Sequence, residues 1–194
     1  MANDTWLRMF CRAALGPLVG RLPDPKHPLI VRMTLGLGAA VCFASGDSAI
    51  GAWGAGLFVL AMAVDRARPD DPEGKLVRLS LRTDSMVNVL VFAGVGFGLR
   101  HGPLGTEAIA MGLTAGFAAA AVLLIARRLD ATTWPGRAGR SAFSGIETDD
   151  LMLAVPVMIW LGQPETMLTW ASFLLPALAI GLAIAYIIRQ RRSG

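Results

Sequence analysis

Residues 50–64 read IGAWGAGLFVLAMAV, and the next four residues, 65–68, read DRAR. The first stretch is apolar throughout, whereas the second places one acidic and two basic residues directly behind it. This order is typical of a helix that crosses a bilayer and stops at the cytoplasmic surface. At about 15 residues the stretch gives roughly 22 Å of helix against a hydrocarbon core of about 30 Å. We therefore expect the helix to continue through Arg66 and Arg68, with their side chains reaching the headgroups.

The same arrangement recurs along the chain. Six apolar stretches are candidate spans, at residues 28–45, 50–64, 85–99, 107–126, 151–161 and 166–188. If each crosses a membrane, every Lys and Arg except Arg100 falls on one side. Because short basic segments are retained in the cytoplasm, both termini are predicted to be cytoplasmic. Stretch 151–161 is short and contains Pro156, but without it the C-terminal arginines would lie on the opposite side.

Composition favours the same class of protein. The chain is 54% apolar, with a mean hydropathy of +0.55 over 194 residues, which is more apolar than an ordinary soluble domain. Its net charge of +4 sits at the ends of the apolar stretches, where it meets anionic headgroups, so membrane lipid rather than nucleic acid is the expected partner. Cys11 and Cys42 are interpreted as small buried apolar residues. We expect an integral protein of the inner or plasma membrane.

Residues 1–27 form a separate juxtamembrane segment in this interpretation. Apolar residues recur at helical spacing, and Arg8 and Arg12 lie on the other side; the apolar set is Trp6, Met9, Phe10, Ala13 and Ala14. The pattern predicts an amphipathic helix on the cytoplasmic surface that ends near Gly16 and Pro17, and the alternative is a disordered tail. The predicted fold is all-α: an integral membrane bundle of six transmembrane helices over residues 28–194, preceded by this surface helix.

Two acidic residues mark the cytoplasmic boundary of neighbouring spans. Asp65 closes the second span and Asp84 opens the third, and Asn88 shares a helix face with Asp84 because it follows four residues later. Antiparallel neighbours would bring Asp65 beside that face. Hard oxygen ligands clustered in this way suit Mg²⁺ or Mn²⁺. The alternative is that both carboxylates balance nearby arginines at the headgroups.

At these residues the chain resembles the CDP-alcohol phosphatidyltransferase superfamily, whose signature reads D-x2-D-G-x2-A-R-x8-9-G-x3-D-x3-D over the second and third spans. The second half is present as Ser80-x3-Asp84-x3-Asn88, with Ser for Gly and Asn for the last Asp. The first half departs further. If Asp65 matches the first Asp, Arg68 replaces the second. The other placement matches Ala67 and Arg68 to the A-R pair and puts Leu60 and Ala63 at the two second-span Asp positions.

The resemblance implies a transferase that moves a phosphoalcohol or phosphatidyl group from a CDP-activated donor to an alcohol and releases CMP. It implies metal ligation of Mg²⁺ or Mn²⁺ by Asp65, Asp84 and Asn88, with Asn88 also at the position of the catalytic base, and a homodimer. An amide cannot act as a general base, so the alternative is an impaired relative that serves as a structural or lipid-binding membrane subunit. An arginine between the carboxylates, for which Arg68 is the candidate, would replace the metal's charge and leave weak metal affinity.

Four arginines are candidates for phosphate binding, because a guanidinium group can bind two phosphate oxygens at once. They are Arg68, Arg127, Arg128 and Arg140. Topology signals and lipid contacts explain the last three equally well. An unrelated transporter is less favoured, since no ionisable residue lies at the centre of a proposed span.

Overall fold

The computed structural model describes residues 6–20, 26–67, 77–133 and 152–193. Most of these residues are helical, and no strand occurs among them. The helices are α1 (Trp6–Val19), α2 (His27–Ala44), α3 (Ser48–Ala67), α4 (Val77–Gly98), α5 (Glu107–Thr133), α6 (Ala154–Trp160) and α7 (Pro164–Ser193). The all-α prediction is confirmed for this part of the chain.

Four helices are long and apolar enough to cross a membrane, namely α2, α3, α5 and α7. Helix α4 has 22 residues but carries Arg82, Asp84 and Asn88, which lower its hydropathy. Helix α6 has seven residues, about 10 Å of helix, which is well short of a bilayer. Several helices that could cross a membrane are thus present, and the number six stays a prediction.

The connections α2–α3, α4–α5 and α6–α7 lie at one end of the bundle, which we call the turn end. Each connection contains a glycine with positive φ, at Gly46 (73°), Gly105 (57°) and Gly162 (70°). Two contacts join these connections across the bundle. The indole Nε1 of Trp160 donates to the carbonyl oxygen of Ala52 over 3.1 Å, and a methyl group at Gly102 would lie 3.0 Å from the Glu165 carboxylate. The three predicted outside turns therefore lie at one end.

Helix α6 covers only part of the predicted span at residues 151–161. The helix begins at Ala154, so Pro156 lies in its first turn. Proline is tolerated there because a first-turn N–H has no partner within the helix. Helix α6 ends at the turn end, and α7 starts there and runs toward the opposite end. We call that opposite end the charged end. The start of α2, the end of α3, the start of α4 and the end of α5 lie there as well.

Helix α4 is packed between α2 and α5 through glycines. A methyl group at Gly94, Gly96 or Gly98 would overlap the carbonyl oxygens of Ala40, Ala108 and Phe43, respectively. From the other side, a methyl group at Gly112 of α5 would lie 2.5 Å from the Phe92 carbonyl oxygen. The predicted small-residue pair, Gly112 and Gly116, thus packs against α4 within the chain, as expected for close helix approach in membranes.

Large apolar side chains cover both the inside and the outside of the bundle. Phe58, Val91 and Leu168 are buried in its core. Trp53, Phe117 and Phe173 are 76%, 63% and 66% exposed, which suits a lipid rather than an aqueous environment. Exposed Trp53, Trp160 and Trp170 all lie within two helical turns of the turn end, where an aromatic belt would meet the membrane interface.

Helix α1 packs against α3 through one side, where Cys11 and Val19 are buried. Burial raises the pKa of the Cys11 thiol, and the nearby Arg66 guanidinium opposes that rise in pKa. Met9 and Phe10 on the other side are exposed, as are Ala13 and Ala14. Helix α1 therefore has one side buried against α3 and an exposed apolar side, and its position on a membrane surface stays a prediction. The side chains of Trp6 and Arg8 lie outside the described part.

Candidate functional site

The candidate site lies at the charged end, where four helices each contribute an ionisable side chain. Arg32 comes from the second turn of α2, Asp65 from the last turn of α3, Asp84 from α4 and Arg127 from α5. We name these four residues the charge cluster. Each lies within about 10 Å of its helix end, so antiparallel packing alone places them at one level.

Arg32 lies between the two carboxylates. Its Nη1 atom is 2.7 Å from Oδ2 of Asp65 and 2.7 Å from Oδ1 of Asp84. The side chains are 6%, 18% and 0% exposed for Arg32, Asp65 and Asp84, so the contact is removed from water. One guanidinium nitrogen thus joins α2 to both α3 and α4.

The second carboxylate oxygen of Asp84 has its own partners. Arg127 Nη2 donates to Oδ2 over 3.3 Å, and the Ser80 hydroxyl donates to the same oxygen over 3.4 Å. Two carboxylates and two guanidiniums make the charge cluster neutral as a whole. Neutrality matters here because an ion out of water is costly unless opposite charge accompanies it.

The part of α4 that resembles the family signature forms one buried face. Ser80, Asp84 and Asn88 are 2%, 0% and 4% exposed, and they follow at intervals of four residues. Helix α2 lies close by, because a methyl group at Gly36 would meet the side chain of Val87 at 2.6 Å. Asn88 is therefore one turn from the ion pairs, on the same side of α4.

The described residues do not form a divalent metal centre between Asp65 and Asp84. A cation bridging Asp65 and Asp84 would have to bind where Arg32 Nη1 lies, 2.7 Å from each carboxylate. Among residues 6–20, 26–67, 77–133 and 152–193, no group of three His, Cys, Asp or Glu side chains is placed to hold a metal. Among the described residues, Arg32 and Arg127 supply positive charge beside the two carboxylates.

Of the remaining predicted site residues, the structure describes two arginines and leaves two outside its described part. Arg127 binds Asp84, and its neighbour Arg128 is exposed at the charged end. Arg68 and Arg140 lie outside the described residues. Arg32 was not among the predicted site residues, because it was counted with the basic residues at the headgroups. One signal could have identified it: a charged residue inside an apolar span needs an internal partner, and Asp65 and Asp84 are predicted at the same level.

Comparison with known proteins adds no relative. The chain matches no protein-family model, no curated protein and no solved structure.

Proposed function

We propose that this chain is a lipid-binding or structural membrane protein that resembles CDP-alcohol phosphatidyltransferases but does not carry out their metal-dependent transfer. The observation that carries this proposal is the position of Arg32, whose Nη1 lies 2.7 Å from both Asp65 and Asp84. In the proposed orientation the charged end and both termini face the cytoplasm.

The charge of the cluster argues against a metal-dependent reaction. A metal that grips a diphosphate is held by carboxylates whose repulsion it relieves. Here Arg32 and Arg127 already compensate both carboxylates. Asn88, at the position of the family's base, accepts no proton from an alcohol. Metal binding and removal of the alcohol proton, which the transfer reaction requires, are therefore both disfavoured.

Lipid binding is supported by the basic residues around the cluster. Arg128 and Arg191 are exposed on helices that end at the charged end, and Arg127 is 25% exposed. Guanidinium groups at that level match the phosphates of anionic headgroups. A cytoplasmic leaflet rich in such lipids would retain this end of the bundle.

The enzymatic part is tested by CMP release from CDP-diacylglycerol by purified protein with Mg²⁺ or Mn²⁺ and a panel of alcohols. We expect release at the level of a protein-free control. Release at rates usual for an enzyme would overturn the proposal and favour transferase activity. That second candidate is supported by the buried polar face of Ser80, Asp84 and Asn88, which keeps half of the signature together.

The lipid part is tested by native mass spectrometry after exchange into mixed phosphatidylglycerol and phosphatidylcholine. We expect phosphatidylglycerol to be retained, and Arg128→Gln to weaken retention about fivefold, the equivalent of 1 kcal/mol for one basic residue. Arg100→Gln is the matched control, since Arg100 lies at the turn end, stacks over the Phe97 ring at 4.0 Å and donates to the Phe97 carbonyl oxygen over 2.7 Å. Equal loss in both variants would contradict headgroup binding at the charged end.

Orientation is tested separately by reporter fusions. A reporter after Gly194 should be cytoplasmic, and one inserted at Gly102 should lie on the other side. A C-terminus on the far side would contradict the proposed topology.

A further inference from the structure

We infer that α1 lies in the acyl-chain region of the cytoplasmic leaflet and binds lipid chains through its exposed side, deeper than the surface position that the sequence predicts. The exposed side consists of Met9, Phe10, Ala13, Ala14 and Pro17. This inference rests on the proposed membrane orientation. It adds a second lipid contact, one that involves acyl chains instead of headgroup phosphates.

The first observation is the depth at which α1 meets the bundle. Helix α1 packs against α3, and its buried Cys11 lies near the Arg66 guanidinium. Along α3, Arg66 is about 20 Å from Trp53, the exposed tryptophan near the turn end. If Trp53 marks the far interface of a hydrocarbon core about 30 Å thick, the contact lies roughly 10 Å inside the cytoplasmic boundary. A tilt of α3 would only place it deeper.

The second observation is the chemistry of the exposed side. A helix that lies on a membrane surface turns a charged face to water. Among the described side chains of α1, the exposed ones are all apolar, and the arginine described there, Arg12, is partly buried. Met9 and Ala14 lie about 140° apart around the helix axis, so this uncharged surface is wide. Acyl chains fit it, because they offer no hydrogen bonds and it requires none.

The burial of Arg66 supports the same position for α1. The sequence predicts that this side chain reaches the headgroups, but Arg66 is buried beside α1. A charged side chain at this depth is costly next to lipid chains. Helix α1 therefore separates Arg66 from the acyl chains and presents its own apolar side to them.

The test measures the environment of nitroxide labels on α1 in nanodiscs of phosphatidylcholine and phosphatidylglycerol. The labels are attached one at a time to new cysteines in a protein that carries Cys11→Ala and Cys42→Ala. The four labelled variants are Met9→Cys, Phe10→Cys, Ala13→Cys and Ala14→Cys.

Two further labels supply the references. Leu60→Cys on the exposed side of α3 reports acyl chains, and His101→Cys at the turn end reports water. Electron paramagnetic resonance compares the collisions of each label with oxygen, which is enriched among acyl chains, and with a water-soluble nickel complex. We expect all four α1 labels to match Leu60→Cys, with nickel collisions about fivefold or more below those of His101→Cys, because water is absent from the acyl-chain region.

The alternatives give different patterns. A helix on the surface would show alternation along α1, with nickel access at one or more of the four positions, and that pattern would overturn the inference. In that case Leu60→Cys would still exclude nickel. Nickel access at Leu60→Cys as well would overturn both the membrane placement of the bundle and this inference, so the two failures are distinguishable.

Hydrogen exchange of the wild-type chain in the same nanodiscs gives a second measurement that needs no substitution. Amides of α1 should exchange as slowly as those of α3, because both helices would be removed from water. Exchange of α1 about tenfold or more faster than α3 would overturn the inference, whatever the labelled variants do.

Discussion

The two ends of the bundle are held together by opposite means. Toward the turn end, helices approach until backbone lies against backbone, as at Gly96 and Ala108. At the charged end, helices are joined by ionised side chains, as in the bridge from Arg32 of α2 to Asp65 of α3 and Asp84 of α4. The first arrangement depends on the absence of a side chain, and the second depends on the balance of charge. The two ends should therefore fail under different kinds of substitution.

Acidic residues allow the sharpest comparison. Asp84→Ala would leave Arg32 and Arg127 without their shared partner in a buried site, and breaking such a pair costs about 3–5 kcal/mol of unfolding free energy. Asp47→Ala at the turn end removes a helix cap, because Asp47 Oδ1 accepts from the N–H groups of Ala49 and Ile50 at 2.9 Å each. That loss should cost about 1 kcal/mol. Unfolding in detergent with EDTA measures both, and equal losses would contradict the difference between the ends.

Gly→Ala substitutions test the opposite dependence, because here the loss of stability is expected toward the turn end. Gly96→Ala should lower the unfolding free energy by about 1–3 kcal/mol, because the added methyl group meets the Ala108 carbonyl oxygen and the Gly112 backbone. Gly56→Ala on α3 is the control, since a methyl group there meets nothing within 4 Å. It should raise the unfolding free energy by about 0.5–1 kcal/mol through helix propensity. A neutral Gly96→Ala would mean that α4 and α5 are farther apart than described.

Two adjacent arginines distinguish cluster membership from simple surface charge. Arg127→Gln should cost about 1.5 kcal/mol, the lower end for a hydrogen bond to a charged group, because Arg127 Nη2 lies 3.3 Å from Asp84 and remains 25% exposed. Arg128→Gln should stay within about 0.5 kcal/mol of wild type, since Arg128 is exposed. The same unfolding assay applies. A larger loss of unfolding free energy in Arg128→Gln than in Arg127→Gln would mean that Arg128, and not Arg127, pairs with Asp84.

Much of the turn end could be predicted from sequence. Glycines between apolar stretches and the near absence of basic residues indicated three short turns, and the structure places Gly46, Gly105 and Gly162 there with positive φ. The span at residues 151–161 was less well predicted. Charge pattern alone required a crossing, but it does not determine helix length, and the described helix covers only Ala154–Trp160.

The charged end was harder to predict because local polarity is misleading there. Residues 77–84 contain Arg, Ser, Thr and Asp, so the third span was started at residue 85, whereas α4 begins at Val77. Those polar groups are compatible with a helix because they find partners in the bundle. Ser80 donates to Asp84 and Thr83 to the Leu79 carbonyl oxygen within α4, and Arg127 of α5 pairs with Asp84. Asp65 and Asp84 could be placed at one level from topology alone. Identifying Arg32 as a partner of both required the packing of α2 against α3 and α4, and Arg68 lies outside the described residues.

The most direct test of the central claim, that Arg32 joins the two carboxylates, is a double-mutant cycle of Arg32→Gln and Asp65→Asn in EDTA. The coupling free energy comes from the unfolding free energies of wild type, both single variants and the double variant. A direct pair at 2.7 Å should give a coupling of at least 1 kcal/mol, within the range of about 0.5–3 kcal/mol for contacting residues. A coupling below about 0.3 kcal/mol, the level of independent sites, would contradict the charge cluster.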